Sequence, residues 1–277
     1  MYGLTQPHII FTDFMGDKKF LKEAFPSLRA GIRPITQHGD LEMMEFPLHV
    51  KVVIQKSTSQ IEATVLSLIT SMPDNKESVL VVGLDSEWSV DLDARHLGLN
   101  DRRQTAIVQL AYKDMIWIFQ LNNHIRSGHF PSQLITFLKN PRILKVGQNV
   151  NLDLRNLQEE SGVKQPFSGG IDVAQLAKRK GVVKNTWISL ADLCAKVLKV
   201  HLDKDPATRI SPDWHSDELS SEQLCYAALD AWASLKVYEE LEQTQVPGEV
   251  VAFTPGWKDG HGHICHNQQY SSHTNNL

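Results

Sequence analysis

Residues 79–90 read VLVVGLDSEWSV, an apolar run that ends in two acids separated by one residue. A short run rich in Val and Leu predicts a buried strand. Residues two apart on a strand share a face, so Asp85 and Glu87 project side by side and Ser86 turns the other way. Carboxylates held that close repel one another, and only a shared proton or a cation makes the pair tolerable at neutral pH. A solvated strand end explains a lone pair of acids as readily, so the reading turns on whether further acids converge on this one.

Two further stretches supply them. In VGQNVNLDLRNL (146–157) a strand ends at Gly147 and Asp153 falls in the first turn of the next helix, where a negative charge suits the helix dipole. In SSEQLCYAALDAWASLKVYEEL (220–241) helical spacing sets Tyr226 and Asp230 on one face. Ala227, Ala228, Leu229, Ala231 and Trp232 surround that pair, so an ionised Asp230 is costly there unless paired, and a metal ion would pair it.

The order LDSEW, VGQNVNLDLRNL, YAALDAW resembles the three motifs of the DEDD 3′–5′ exonucleases, in the branch with a Tyr four residues before the last Asp. The other branch carries a His five residues before it, where this chain has Cys225. The connecting segment TWISLADLCAKVLKVHLDKDPATRISPDW (186–214) is similar to that of RNase D and of the Werner-syndrome exonuclease domain, with Val200 where those proteins usually carry Gly. The resemblance implies an α/β fold with an RNase H-like mixed β-sheet flanked by helices. It also implies two divalent cations, Mg²⁺ or Mn²⁺, since oxygen ligands suit hard ions. Asp85, Glu87, Asp153 and Asp230 would be the metal ligands and Tyr226 would orient the attacking water. The implied reaction is stepwise hydrolysis of DNA or RNA from single-stranded or frayed 3′ ends, releasing nucleoside 5′-monophosphates. Trp88, Arg209 and Trp214 are the candidate substrate contacts, with Asn149 and Gln109 weaker ones. A catalytically inactive nucleic-acid-binding scaffold and a metal-dependent endonuclease are the alternatives.

Around these motifs the chain of 277 residues organises into a partly ordered extension (1–47), an exonuclease domain (48–243) and a mobile tail (244–277). Strands are expected at 49–55, 77–88, 105–112 and 115–121, the last two joined as a hairpin at Lys113 and Asp114, and at 142–147. Helices are expected at 59–72, 131–139, 151–160, 171–179, 188–199 and 221–243. Early strands followed by helices suggest a mixed sheet with helices packed on it. A net charge of −4 gives no global sign of a polyanion partner, but residues 139–200 hold eleven Lys or Arg against five Asp or Glu. That local excess could steer a polyanion toward the acids. Three widely spaced cysteines suggest neither a disulfide framework nor a zinc ribbon and favour an intracellular setting, nucleus before cytoplasm. No segment reaches the roughly 20 apolar residues needed to span a bilayer.

Overall fold

The computed structural model describes residues 40–89, 104–204, 208, 212–244, 257–258 and 264–265. At its centre is a six-stranded sheet in the order β2-β5-β4-β3-β6-β7, formed by β2 (Lys51–Gln55), β3 (Leu80–Ser89), β4 (Gln104–Tyr112), β5 (Met115–Gln120), β6 (Ile143–Gly147) and β7 (Gly170–Asp172). Only β4 runs against its neighbours; the β2/β5, β3/β6 and β6/β7 pairs are parallel. The β4–β5 hairpin turns at Lys113, whose φ of 50° is left-handed.

Alternation along β3 assigns its two faces. Leu80, Val82 and Leu84 pack with Ile61, Val65 and Leu68 of helix α1 (Thr58–Thr70), with Leu134, Phe137 and Leu138 of α3 (Ser132–Lys139), and with Val150, Leu154 and Leu157 of α4 (Val150–Glu160). A short helix α2 (Asn122–Arg126) links β5 to α3. The opposite face carries the long closing helix α7 (Ser221–Gln243), together with α5 (Val173–Arg179) and α6 (Leu190–Leu193). Each Leu, Ile or Phe buried between these layers contributes about 1.5–3 kcal/mol of transfer free energy.

Helix α7 begins at a capping box in which the Gln223 N–H donates to Ser220 Oγ at 3.3 Å and the Ser220 N–H donates to Gln223 Oε1 at 2.9 Å. Apolar on nearly every side, it lies between the sheet and α5–α6 rather than on the surface. Its approach to β3 depends on Gly83: a Cβ there would stand 2.1 Å from the Ala231 carbonyl oxygen. The missing side chain lets the helix backbone rest on the strand two residues before Asp85.

Three local features depart from the sequence reading. Residues before 48 pack on the core: β1 (Glu42–Met43) pairs in parallel with β8 (Val200–His201), and Met44 and Phe46 are buried, Phe46 edge-on to Trp232 at 6.2 Å. The helix expected over 188–199 is a four-residue α-turn followed by a π-helical turn (Cys194–Leu198), which closes at Lys199 with φ 60°. The backbone's left-handed residue is thus Lys199, one position before Val200. The expected tail is described only at Thr244 and at β9 (Trp257–Lys258) and β10 (Ile264–Cys265), which pair antiparallel; the rest of it, like residues 1–39 of the expected extension, lies outside the described residues.

Candidate active site

The end of β3 and the middle of α7 bring three acids together. One carboxylate oxygen from each of Asp85, Glu87 and Asp230 lies within 4.8 Å of the other two. Asp85 and Glu87 reach the site because they share the α7 face of β3, and the β-bulge in the β3/β4 pairing falls after Glu87, between it and Trp88. Asp230 reaches it because Gly83 admits the helix. Asp230 is 3% exposed and its Oδ1 is buried with no hydrogen-bond partner. A buried, unpaired carboxylate oxygen among three hard donors suits a divalent cation of the Mg²⁺ or Mn²⁺ type.

Asp153 stands apart from this trio. It projects from α4 on the other layer, and the Ser86 hydroxyl donates to its Oδ1 at 2.6 Å. The residue between the two acids of β3 is therefore a positioning group for the fourth, a role nothing in the alternation argument supplied. The Asp153 charge is nonetheless felt at Asp85 and Glu87.

Burial, then repulsion from Asp230 and Asp153, pushes the Asp85 carboxyl well above its ordinary range. Burial and Asp85 do the same to Glu87. Burial raises Asp153 to about 7 against the pull of the Ser86 hydrogen bond. Asp230 is raised by burial and held back by Lys204 and by the Tyr226 hydroxyl. Lys204 is the group the sequence reading missed. Its ammonium pairs directly with Asp230 Oδ2, lies 3.5 Å from the Tyr226 hydroxyl and 4.8 Å from the centre of that ring, and feels the attraction of Asp85 and Glu87.

These shifts set a pH dependence. A carboxyl raised in the fold contributes stability that is present in full below its unfolded value near 4 and is lost as pH rises through the folded value, about 7 for Asp153. Divalent ions bind the ionised carboxylates, so their stabilisation grows over the same window. The melting temperature in saturating Mg²⁺ minus that in chelator is expected to widen from pH 5 to pH 8. A gap that narrows or stays flat would contradict the assignment of these acids. The subtraction removes groups remote from the site, such as the buried Lys145, which burial lowers to about 7.

The candidate substrate contacts separate. Trp88 is half-buried beside the bulge. Asn149 is exposed at the left-handed N-cap of α4, its backbone N–H donating to Asp172 Oδ2 at 2.8 Å. Trp214 lies in a short 3₁₀ turn (Pro212–His215), is 1% exposed and has its ring 6.2 Å from that of Tyr226. Placed so, it packs beside Tyr226 with almost no surface open to solvent. Arg209 lies outside the described residues. Gln109 faces Asp85 across the β3/β4 pair and is 0% exposed, with neither polar atom of its amide hydrogen-bonded. The basic excess over 139–200 is not one surface. Lys145 is buried, donating to the Leu138, Asn140 and Ser168 carbonyls at 3.1, 2.9 and 2.8 Å, and Lys180 lies 3.9 Å from Glu242.

Residues 57–245 match the 3′-5′ exonuclease family, which is more than half of the chain. The chain belongs to that family. It is 27% identical over 214 residues to the mouse bifunctional 3′-5′ exonuclease/ATP-dependent helicase WRN, covering 77% of this chain and 14% of the mouse protein. A 3′-5′ exonuclease of Drosophila ananassae is 25% identical over 174 residues, 61% of this chain and 46% of the fly protein. The chain thus spans less than half the length of either relative. Among solved structures, Escherichia coli RNase D superposes with a TM-score of 0.52 at 19% identity, over 72% of this chain and 44% of that one. The Nibbler EXO domain of Aedes aegypti does so at 0.53 and 18%, over 73% and 92%. At these identities the two structures attest the shared fold. Among the described residues no helix is long and apolar enough to cross a membrane.

Proposed function

We propose that this chain is a 3′–5′ exonuclease that removes nucleoside 5′-monophosphates one at a time from a free 3′ end of DNA or RNA, with two divalent ions, Mg²⁺ or Mn²⁺. The observation that carries the reading is the convergence of Asp85, Glu87 and Asp230, drawn from a rigid strand end and a buried helix, with Tyr226 one turn before Asp230. Such ions supply an activated water at neutral pH and relief of charge on the leaving oxygen.

In this reading Asp85, Glu87 and Asp230 hold one ion, and Asp153, kept in orientation by Ser86, helps to hold the second. The Tyr226 hydroxyl lies at the acid cluster, and the Trp214 ring behind it limits its swing. With an ordinary pKa near 10, Tyr226 suits orienting a water better than taking its proton. Trp88 and Asn149 would meet the terminal nucleotide; stacking on an aromatic ring contributes about 1–3 kcal/mol per base. The catalytic unit then includes the chain from β1, which pairs with β8, to the end of α7. Free, buried Cys194 and Cys225 thiols, each pushed up to about 12, fit a reducing, intracellular setting.

The test is the polarity of digestion. With Mg²⁺ or Mn²⁺, a 5′-labelled strand is expected to give a descending ladder, a 3′-labelled strand a labelled mononucleotide as first product, and a closed circular single strand no product. Cleavage of the circle would favour an endonuclease, and no turnover of either nucleic acid with either ion would favour an inactive scaffold.

A further inference from the structure

We propose that Lys204 is the resident cation of the acid cluster: its ammonium balances Asp230 before a divalent ion arrives, and the ion enters by displacing it. The inference rests on the reading that these acids hold divalent ions, and it adds what sets the affinity for them.

The ammonium is not a surface charge that happens to be nearby. It pairs with one oxygen of a carboxylate that is 3% exposed, beside the Tyr226 ring and hydroxyl, on the side where Asp85 and Glu87 converge. Among the described residues the groups facing it include Asp230 and Tyr226 from α7 and Asp85 and Glu87 from β3, the Cys194 thiol also feels its charge, and Asp153 contributes at longer range through those two acids. Burial acts to lower the ammonium, and its neighbours, Asp230 before Asp85, more than reverse that.

Counting charge decides between a fixed and a displaceable partner. One ammonium against the three carboxylates that converge there leaves the cluster short of positive charge. It therefore holds the site together without satisfying it. A divalent ion would bring twice the charge to the same carboxylates, and an ammonium left on Asp230 Oδ2 would then face a like charge nearby. Lys204 sits in irregular chain after β8, on a flexible four-carbon stem, so it can give way while the acids, fixed on β3 and α7, stay. The ammonium thus acts as an intramolecular competitor: it lowers ion affinity and protects the empty site from self-repulsion.

The test uses the full chain without nucleic acid. Mn²⁺ binding is followed by electron paramagnetic resonance for wild type, Lys204→Met and Lys204→Arg, and melting is measured in chelator and in saturating Mn²⁺. Lys204→Met keeps the apolar stem and removes the charge. It is expected to bind Mn²⁺ about ten-fold tighter, since a neighbouring charge at an effective dielectric near 20 is worth a kcal/mol or more. It is also expected to melt about 2–4 °C lower than wild type in chelator and to recover in saturating Mn²⁺. Lys204→Arg should stay close to wild type in both. A purely structural lysine would lower melting equally with and without Mn²⁺ and would not tighten binding. Should Lys204→Met fold in neither condition, Lys204→Gln is read by the same criteria. Unchanged or weaker Mn²⁺ binding in the charge-free variant, with wild type binding normally, overturns the inference alone. Absence of Mn²⁺ binding by wild type and variants alike overturns the ion assignment as well.

Discussion

Asp85→Asn and Asp230→Asn are each expected to lower 3′-end hydrolysis about a thousand-fold or more. Charge stabilisation by bound ions is worth several kcal/mol in the transition state, and each 1.36 kcal/mol is a factor of ten in rate. The two variants should nevertheless part company in stability when chelator is present. Asp85→Asn removes a carboxylate that repels Asp230 and Asp153, so its melting temperature should equal or exceed that of wild type. Asp230→Asn strands the Lys204 ammonium without the carboxylate it pairs with, at a cost of about 1–3 kcal/mol, less than for a fully enclosed pair because Lys204 keeps some contact with water. Single-turnover rates and thermal melts of the same preparations check both halves. Activity within ten-fold of wild type in either variant, or an Asp85→Asn protein less stable than Asp230→Asn, would contradict the placement of the acids.

Gly83→Ala is the second large effect, and it acts through backbone. Its new Cβ would meet the Ala231 carbonyl oxygen at 2.1 Å, a contact that cannot be relieved by turning a side chain. Helix α7 must move by an ångström or so, at a cost of about 1–3 kcal/mol or more for an overpacked core. Asp230, one residue before Ala231, moves with the helix and draws away from Asp85 and Glu87. A misplacement of that size costs about a hundred-fold in rate. Urea denaturation with the turnover rate of the folded fraction is the measurement; a variant of wild-type stability and rate would mean that the close approach of α7 does not set the site.

Asp85, Asp230 and Gly83 differ in how far their roles were legible in sequence. Asp85 and Glu87 could be placed on one face because strand alternation is local, and Asp230 could be paired with Tyr226 because helical spacing is local. Gly83 carries no such signal: the same strand with Ala there reads identically, and only the packed helix reveals why no side chain fits. Lys204 was hidden for a different reason. In HLDKD it stands between two acids, the pattern of a solvated charged loop, and nothing local says that its partner is 26 residues away on α7. Ser86 was correctly turned away from the acid pair, yet its partner Asp153 comes from the opposite layer. Met44 and Phe46 were missed as core because the two-residue β1 is too short to show any period, and its pairing partner, β8, lies over 150 residues along the chain. Trp214 was read as a substrate contact from its place in a motif, and its burial beside Tyr226 carries no local sequence signal.

Anomalous diffraction from crystals of the full chain grown with Mn²⁺ tests the central claim most directly. The account predicts a manganese peak held by Asp85, Glu87 and Asp230, with the Lys204 ammonium withdrawn from Asp230. Manganese bound elsewhere, in a protein that digests 3′ ends in the same solution, would contradict it.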